Sequence, residues 1–238
     1  MARTTYFKDR MQAGEQLARH LLEYQQQPDA IVLALPRGGV PVGLAVSRAL
    51  DVPLDVMPVR KLGVPGREEC AMGAVAAGGL CVLRPEVVEA FGITPEVIEA
   101  AAQLELHEIE RREKLYRGGK QPLHLQGWTV ILVDDGLATG ATMLTAVKAA
   151  RRDNARKIVV AVPVGPAQSC EELRHVADEL ICLHIPEHFY AVGLWYENFE
   201  QISDAEVAQL LAQAWQQRTP PTRGGGTRQT REPRRTGA

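Results

Sequence analysis

Aromatic residues are scarce in this 238-residue chain, where Phe, Trp and Tyr make up only 5%. Cysteine is scarcer still: Cys70, Cys81, Cys170 and Cys182 show no CxxC spacing. That excludes the zinc clusters and disulfide frameworks built from such pairs and fits reduced thiols in a cytosol. Long apolar runs are missing as well. The longest mostly apolar stretch, residues 71–83, is too short and glycine-rich to span a bilayer. The N-terminal MARTTYFKDR lacks the apolar core of a secretory signal. A cytoplasmic protein with no membrane partner is expected. His107, His124, His175, His184 and His188 follow no metal-ligand spacing, and no Ser-His-Asp or Cys-His arrangement stands out.

Charge is present but uneven. Six arginines and one glutamate in residues 218–238 leave a formal −7 on the rest of a chain whose total is −2. The body is acidic, which argues against a nucleic-acid partner. The basic tail holds Pro, Gly and Thr but no Leu, Ile, Val or aromatic. It buries too little to offset its chain entropy and reads as disordered. A contact with RNA, DNA or an acidic protein is the functional alternative to a dispensable tail.

With 45% hydrophobic and 24% charged residues, the chain is long enough to bury a full core. Apolar runs at 30–35, 53–59, 128–133, 157–164 and 180–183 read as strands, and residues 71–83 as a strand or hairpin. Helical patterns fall at 9–24, 40–50, 143–152, 169–177 and 205–217. A further long helix opens at Thr94-Pro95-Glu96, a capping hydroxyl before proline and an acid, and Gly118-Gly119 ends it. Strands alternating with helices predict a doubly wound, mainly parallel α/β sheet. In such sheets ligands bind at the carboxyl ends of strands beside a topological switch. Pro36 to Gly39, Arg60-Lys61 and Asp134 to Thr142 all fall where a strand is expected to stop.

Residues 130–143 read VILVDDGLATGATM, with two aspartates side by side at the tip of a buried strand. Like charges repel there and each loses hydration, so folding alone gives no reason for them. The small residues from Gly136 to Thr142 let backbone amides approach a ligand, and the next helix adds its N-terminal N–H groups, the arrangement that binds phosphate. Thr139 and Thr142 offer hydroxyls. No lysine follows the second glycine, which excludes the Walker loop, and GxGxxG is absent. Asp134 and Asp135 suit a sugar phosphate: they can accept from vicinal hydroxyls, or hold Mg²⁺ directly or through water. Arg37 with Gly38-Gly39 forms a second anion site. Arg60-Lys61 forms a third, with a solvated strand end as the competing reading.

Residues 130–142 closely resemble the phosphoribosyl-pyrophosphate signature of type I phosphoribosyltransferases: four apolar residues, two acids and a loop ending in Thr139-Gly140-Ala141-Thr142. Leu35-Pro36-Arg37-Gly38-Gly39 resembles the family's pyrophosphate loop. Arg60-Lys61 precedes LGVPGREEC, a segment similar to its flexible catalytic loop. About residues 10 to 205 follow the family's order of elements. The resemblance implies a five-stranded parallel core, about residues 10–83 and 127–184. It adds a helical insertion at 84–126 and a hood and C-terminal part at 185–217, all in one domain spanning 1–217. It implies transfer of ribose 5-phosphate from phosphoribosyl pyrophosphate to a nitrogenous base with Mg²⁺, and a homodimer. Asp134 and Asp135 would take the ribose hydroxyls and the metal. Residues 136–142, with Gly136, Ala138, Thr139, Gly140, Ala141 and Thr142 named as contacts, would take the 5′-phosphate. Pro36, Arg37, Gly38, Gly39, Arg60 and Lys61 would take the pyrophosphate, and Asp134, Asp135, Arg37 and Lys61 would carry catalysis.

The base is less legible. Phe189, Tyr190, Trp195 or Tyr196 in PEHFYAVGLWYENF would stack on a flat ring or form a small aromatic core. Val192-Gly193 resembles the hood of hypoxanthine and xanthine transferases. Their purine-reading lysine has no counterpart in AVPVGPAQ, residues 161–168; backbone groups near Val164-Gly165 are the remaining candidates there. Arg111, Arg112 and Arg117 of the insertion form a solvated face, or else reach an anionic substrate or a second subunit's active site. An alternative function is a non-catalytic sensor of phosphoribosyl pyrophosphate or a nucleotide that regulates a partner.

Overall fold

A computed structural model describes residues 6–118, 120 and 123–217. Five parallel strands form the central sheet in the order β2 (Leu54–Val56), β1 (Ala30–Ala34), β6 (Thr129–Val133), β7 (Lys157–Val164) and β8 (Glu179–His184). Residues 30–34 and 129–133 are buried throughout, as expected of strands covered on both faces. Period-two alternation then divides the core. Val32, Ala34, Ile131 and Val133 face helices α1 (Arg10–Ala18), α2 (Gly39–Leu50) and α7 (Asp204–Gln217). Ile31, Leu33, Val130 and Leu132 face α5 (Ala141–Arg152) and α6 (Ala167–Arg174). The doubly wound sheet is therefore as expected. Strand β1 leads through α2 to β2 on one side, and β6 leads through α5 to β7 on the other. The switch in strand order thus lies between β1 and β6, whose ends are tied by Leu35 N–H donating to Val133 O at 2.9 Å.

The segment 53–64 departs from expectation. In place of one strand ending at Arg60-Lys61, β2 stops at Val56 and β3 (Val59–Val64) begins in a second sheet. Pro58 intervenes, and proline has no N–H to continue a ladder. Arg60 and Lys61 therefore lie inside a strand. Most of the expected mobile loop is also strand: β3 pairs antiparallel with β4 (Arg67–Ala76) across Pro65-Gly66, where Gly66 has φ 75°. Proline followed by a positive-φ glycine is the chemistry of a type II turn. Strand β5 (Leu80–Leu83) completes this sheet. Residues 59–83, assigned to the core from sequence, thus build a separate antiparallel sheet.

Helices α3 (Pro85–Ala90) and α4 (Pro95–Arg117) cover it, with Leu62, Met72, Val75, Val87 and Ile109 in a satellite core. Proline at the first position starts α4, and Gly118 with φ 57° closes it, its N–H donating to Lys114 O. The Thr94 side chain makes no hydrogen bond to the helix's backbone amides. Helix α4 also packs on β3 and α7, so the insertion stands beside the mouth of the main sheet. No helix among the described residues is long and apolar enough to cross a membrane. The basic segment 218–238 and Gly119 lie outside the described residues.

Candidate active site

The carboxyl ends of β1 and β6 carry the two loops singled out from sequence, and they touch. A Cβ at Gly38 would stand 1.9 Å from Asp135 Oδ2, and one at Gly39 would stand 2.7 Å from Val133 O. Only glycine allows this approach. Gly39 N–H donates to Leu35 O at 3.1 Å, starting α2, and the Pro36–Arg37 peptide is cis.

After β6 the chain turns through residues 134–140 into α5. Leu137 N–H donates to Val164 O at 2.8 Å and Ser169 Oγ donates to Ala138 O at 3.0 Å, anchoring the turn to β7 and α6. Gly140 precedes the helix with φ 72°, a left-handed conformation suited to glycine. No side chain caps α5, so its first-turn amides keep the anion-attracting end of the helix open to the cleft.

One cleft of about 960 Å³ is lined by Pro36, Arg37, Gly38, Arg60, Lys61 and every residue from 134 to 142. Gly39 is buried beneath it. The two aspartates differ. Asp135 is held by Arg10 of α1, whose Nε stands 2.8 Å from Oδ2 with both side chains largely buried. Arg10 also donates to Glu200 O at 2.8 Å and lies 3.8 Å over the Phe199 ring. Tyr196 Oη donates to Asp135 O at 2.6 Å. Asp134 accepts from the Asp135 amide at 2.8 Å through Oδ1 and has no arginine bonded to it among the described residues. Burial pushes the Asp134 carboxyl well above the ordinary value of 3.8, and the charge of Asp135 adds to this while Arg10 and Lys61 pull against it. Burial raises Asp135 as well, opposed chiefly by Arg10.

The cations are placed unequally. Arg37 Nη1 lies 4.0 Å from Asp204 Oδ1 at the start of α7, while Arg60 Nε is committed to Glu105 Oε2 of α4 at 2.6 Å. Lys61 is exposed, faces Asp134 electrostatically and has no ion pair among the described residues. The expected cationic wall thus reduces to Lys61 and a loosely held Arg37.

Among the proposed base contacts, none of Val164, Phe189, Tyr190 and Trp195 lines the cleft. Val164 is fully buried, its carbonyl takes Leu137 N–H, and Gly165 N–H donates to His184 O. Trp195 lies 4.8 Å from the Tyr6 ring and stacks on His184, beside a cluster of Phe7 and Tyr196. It belongs to the aromatic core that competed with ligand stacking as a reading. Tyr190 is 83% exposed. Val192, Phe199 and Ile202 line the cleft instead, together with Ala101, Leu104 and Arg112 of α4. Sequence reasoning missed Arg10, Phe199 and Leu104. Arg10 occupies an amphipathic opening helix, and nothing local distinguishes it from a surface arginine.

A family model described as phosphoribosyl transferase domain matches residues 5–196. Two Mycobacterium tuberculosis proteins, named "Putative phosphoribosyl transferase Rv0571c" in strain H37Rv and "Putative phosphoribosyl transferase MT0597" in strain CDC 1551, are each 43% identical over 208 residues. The match covers 87% of this chain but 47% of those proteins, so the chain spans about half their length. The crystal structure of TT1426 from Thermus thermophilus superposes with a TM-score of 0.75 at 38% identity, covering 88% of this chain and 99% of that one. With the motif-bearing turn, the five-stranded sheet and the family model spanning most of its length, this chain belongs to the phosphoribosyl transferase domain family.

Proposed function

We propose that the protein is a phosphoribosyltransferase that moves ribose 5-phosphate from phosphoribosyl pyrophosphate to a nitrogenous base and releases pyrophosphate. One observation carries this reading: residues 134–142, Arg37 and Lys61 open onto the same cleft at the switch point. In this reading the uncapped amides of α5, with Thr139 and Thr142, hold the 5′-phosphate. Asp134 takes the ribose hydroxyls, and Arg10 fixes Asp135 beside it. The backbone of residues 36–39, with Arg37 and Lys61, faces the diphosphate. As the bond from C1 to the diphosphate oxygen breaks, positive charge grows on the ribose and negative charge on the leaving group. Positioned cations are then worth more than a protein nucleophile.

Among the described residues, no group of three or more His, Cys, Asp or Glu is arranged to hold a metal alone. The two adjacent carboxylates that line the cleft fit Mg²⁺, which binds through one or two carboxylates completed by substrate oxygens and water. Asp134 and Asp135 would be those carboxylates. When bound, the ion supplies charge that neutralises the diphosphate. The apolar part of the cleft near Val192, Ile202 and Leu104 is the place for the acceptor.

A sensor of phosphoribosyl pyrophosphate is the second reading, favoured by the commitment of Arg60 to Glu105. The deciding experiment measures pyrophosphate release from phosphoribosyl pyrophosphate and Mg²⁺ across a panel of purine, pyrimidine and other nitrogenous bases. Base-dependent release supports the transferase. Tight binding without release with any base supports the sensor.

A further inference from the structure

The three arginines at the end of α4 have different surroundings. Arg117 is buried on Asp55 at 2.8 Å. Arg111 is exposed and bonded to Glu108 and Asp204. Arg112 is neither buried in the core nor solvated. It lines the cleft shared by Arg37 and Lys61, and its side chain is 15% exposed. Its Nε donates to Glu108 Oε1 at 2.7 Å. That is its one hydrogen bond among the described residues, so four of the five guanidinium N–H donors remain unused.

Arg112 also stands near Arg37. The Tyr116 hydroxyl feels the charge of both guanidinium groups and donates to Asp204 Oδ1 at 2.6 Å, the oxygen that Arg37 approaches at 4.0 Å. Glu108 is shared between Arg111 and Arg112. Asp204 is bonded to Arg111 and Tyr116, approached by Arg37 and also within reach of the Arg112 charge, so three guanidiniums share two carboxylates. Arg37 and Arg112 are therefore only partly neutralised by protein carboxylates. Convergent, under-neutralised arginines with free forks suit a multivalent anion, because each fork can engage phosphate oxygens in pairs.

We propose that Arg112 is a second guanidinium contact for the diphosphate of phosphoribosyl pyrophosphate and for released pyrophosphate, with Glu108 as the residue that positions it. This rests on the phosphoribosyltransferase reading. It makes the insertion helix a wall of the active site: the diphosphate is gripped between the loop after β1 and α4, a function that Arg60, tied to Glu105, does not supply in this arrangement.

Calorimetric titration of the full chain with two probes, Mg²⁺-pyrophosphate and ribose 5-phosphate, tests the assignment. Arg112→Ala is expected to weaken pyrophosphate by about 10- to 100-fold, the effect of losing a charge-assisted bond, while ribose 5-phosphate stays within about twofold of wild type. Arg112→Lys restores only part of the loss because it lacks the fork. Glu108→Gln, which keeps an acceptor without the charge, gives a smaller loss confined to pyrophosphate. If Arg112→Ala lowers the melting temperature, Arg112→Gln provides the same split between probes. Equal weakening of both probes, or unchanged pyrophosphate binding while ribose 5-phosphate still binds, overturns the role of Arg112. Failure of wild type to bind either probe overturns the phosphoribosyltransferase reading and this inference with it.

Discussion

Arg10 Nε stands 2.8 Å from Asp135 Oδ2, and that contact separates the tasks of two adjacent aspartates. A helix at the start of the chain supplies the charge that makes a carboxylate tolerable at the tip of β6. Asp134 has no such partner among the described residues and is the carboxylate proposed to meet the ribose. Arg10→Ala should leave Asp135 an uncompensated, largely buried charge and cost about 3–5 kcal/mol, the usual effect of breaking a buried pair. Arg10→Lys should recover part of this stability. It cannot reproduce the fork that bonds Asp135 and Glu200 together, so ribose 5-phosphate binding stays impaired. Urea denaturation with calorimetry on the same samples separates the two effects; wild-type stability in Arg10→Ala would contradict the pairing.

Gly38 makes a cleaner test of the site, because its φ of −62° and ψ of −32° suit any residue. Alanine fails there for one reason: its Cβ meets Asp135 Oδ2 at 1.9 Å, and Arg10 holds that oxygen in place. Gly38→Ala should destabilise the protein by about 1–3 kcal/mol, as overpacking does. Phosphoribosyl pyrophosphate affinity should fall at least about tenfold, equivalent to about 1.4 kcal/mol. Titration of the folded variant reads this directly. Unchanged affinity would mean that the two loops can separate without harm.

The central sheet was legible because β1, β6 and β7 are nearly continuous apolar runs of five to eight residues, and the residues 134–142 turn because few folds put two acids before a small-residue loop. Arg10 and Leu104 were not legible: each sits on a helix of ordinary surface composition, and only tertiary folding brings it to the cleft. Arg112 was legible only as one of two alternatives, and Phe199 ends an aromatic segment in which nothing local sets it apart from its neighbours. Arg60 shows the converse: its sequence signal was a basic strand end, yet Pro58 moved it into a second sheet, where Glu105, distant in sequence, claims it. A local pattern reveals a backbone cradle; it cannot reveal which carboxylate will reach a given arginine.

Asp55 and Arg117 join the end of α4 to β2 through a 2.8 Å pair, and Arg117 Nε has no hydrogen-bond partner among the described residues. Burial raises the Asp55 carboxyl, with the Arg117 charge opposing it most strongly. Removing one member should be far worse than removing both. Arg117→Ala is expected to cost about 3–5 kcal/mol, whereas Asp55→Asn combined with Arg117→Met should cost much less or nothing. Denaturant midpoints for the two singles and the double give the coupling energy; additive losses would show that the pair does not act as a unit.

Asp134 gives the sharpest link between stability and function. Its carboxyl is raised above 3.8 in the folded protein by burial and by Asp135, so between that value and its folded pKa the native state binds more protons than the unfolded chain. Stability therefore falls as pH rises through this window, and the loss is complete above the folded pKa. Asp134→Asn keeps the acceptor for the Asp135 amide and removes the desolvated charge. The variant should match wild type below pH 3.8 and exceed it at neutral pH by about 1 kcal/mol, a typical gain from relieving a strained functional site. The same substitution removes the carboxylate proposed to hold the ribose hydroxyls, and phosphoribosyl transfer should be lost. Melting temperatures from about pH 3 to 8, paired with pyrophosphate release at neutral pH, give both readouts. Parallel pH profiles for the two proteins would show that Asp134 carries no folding cost, and retained turnover would show that the sugar is held elsewhere.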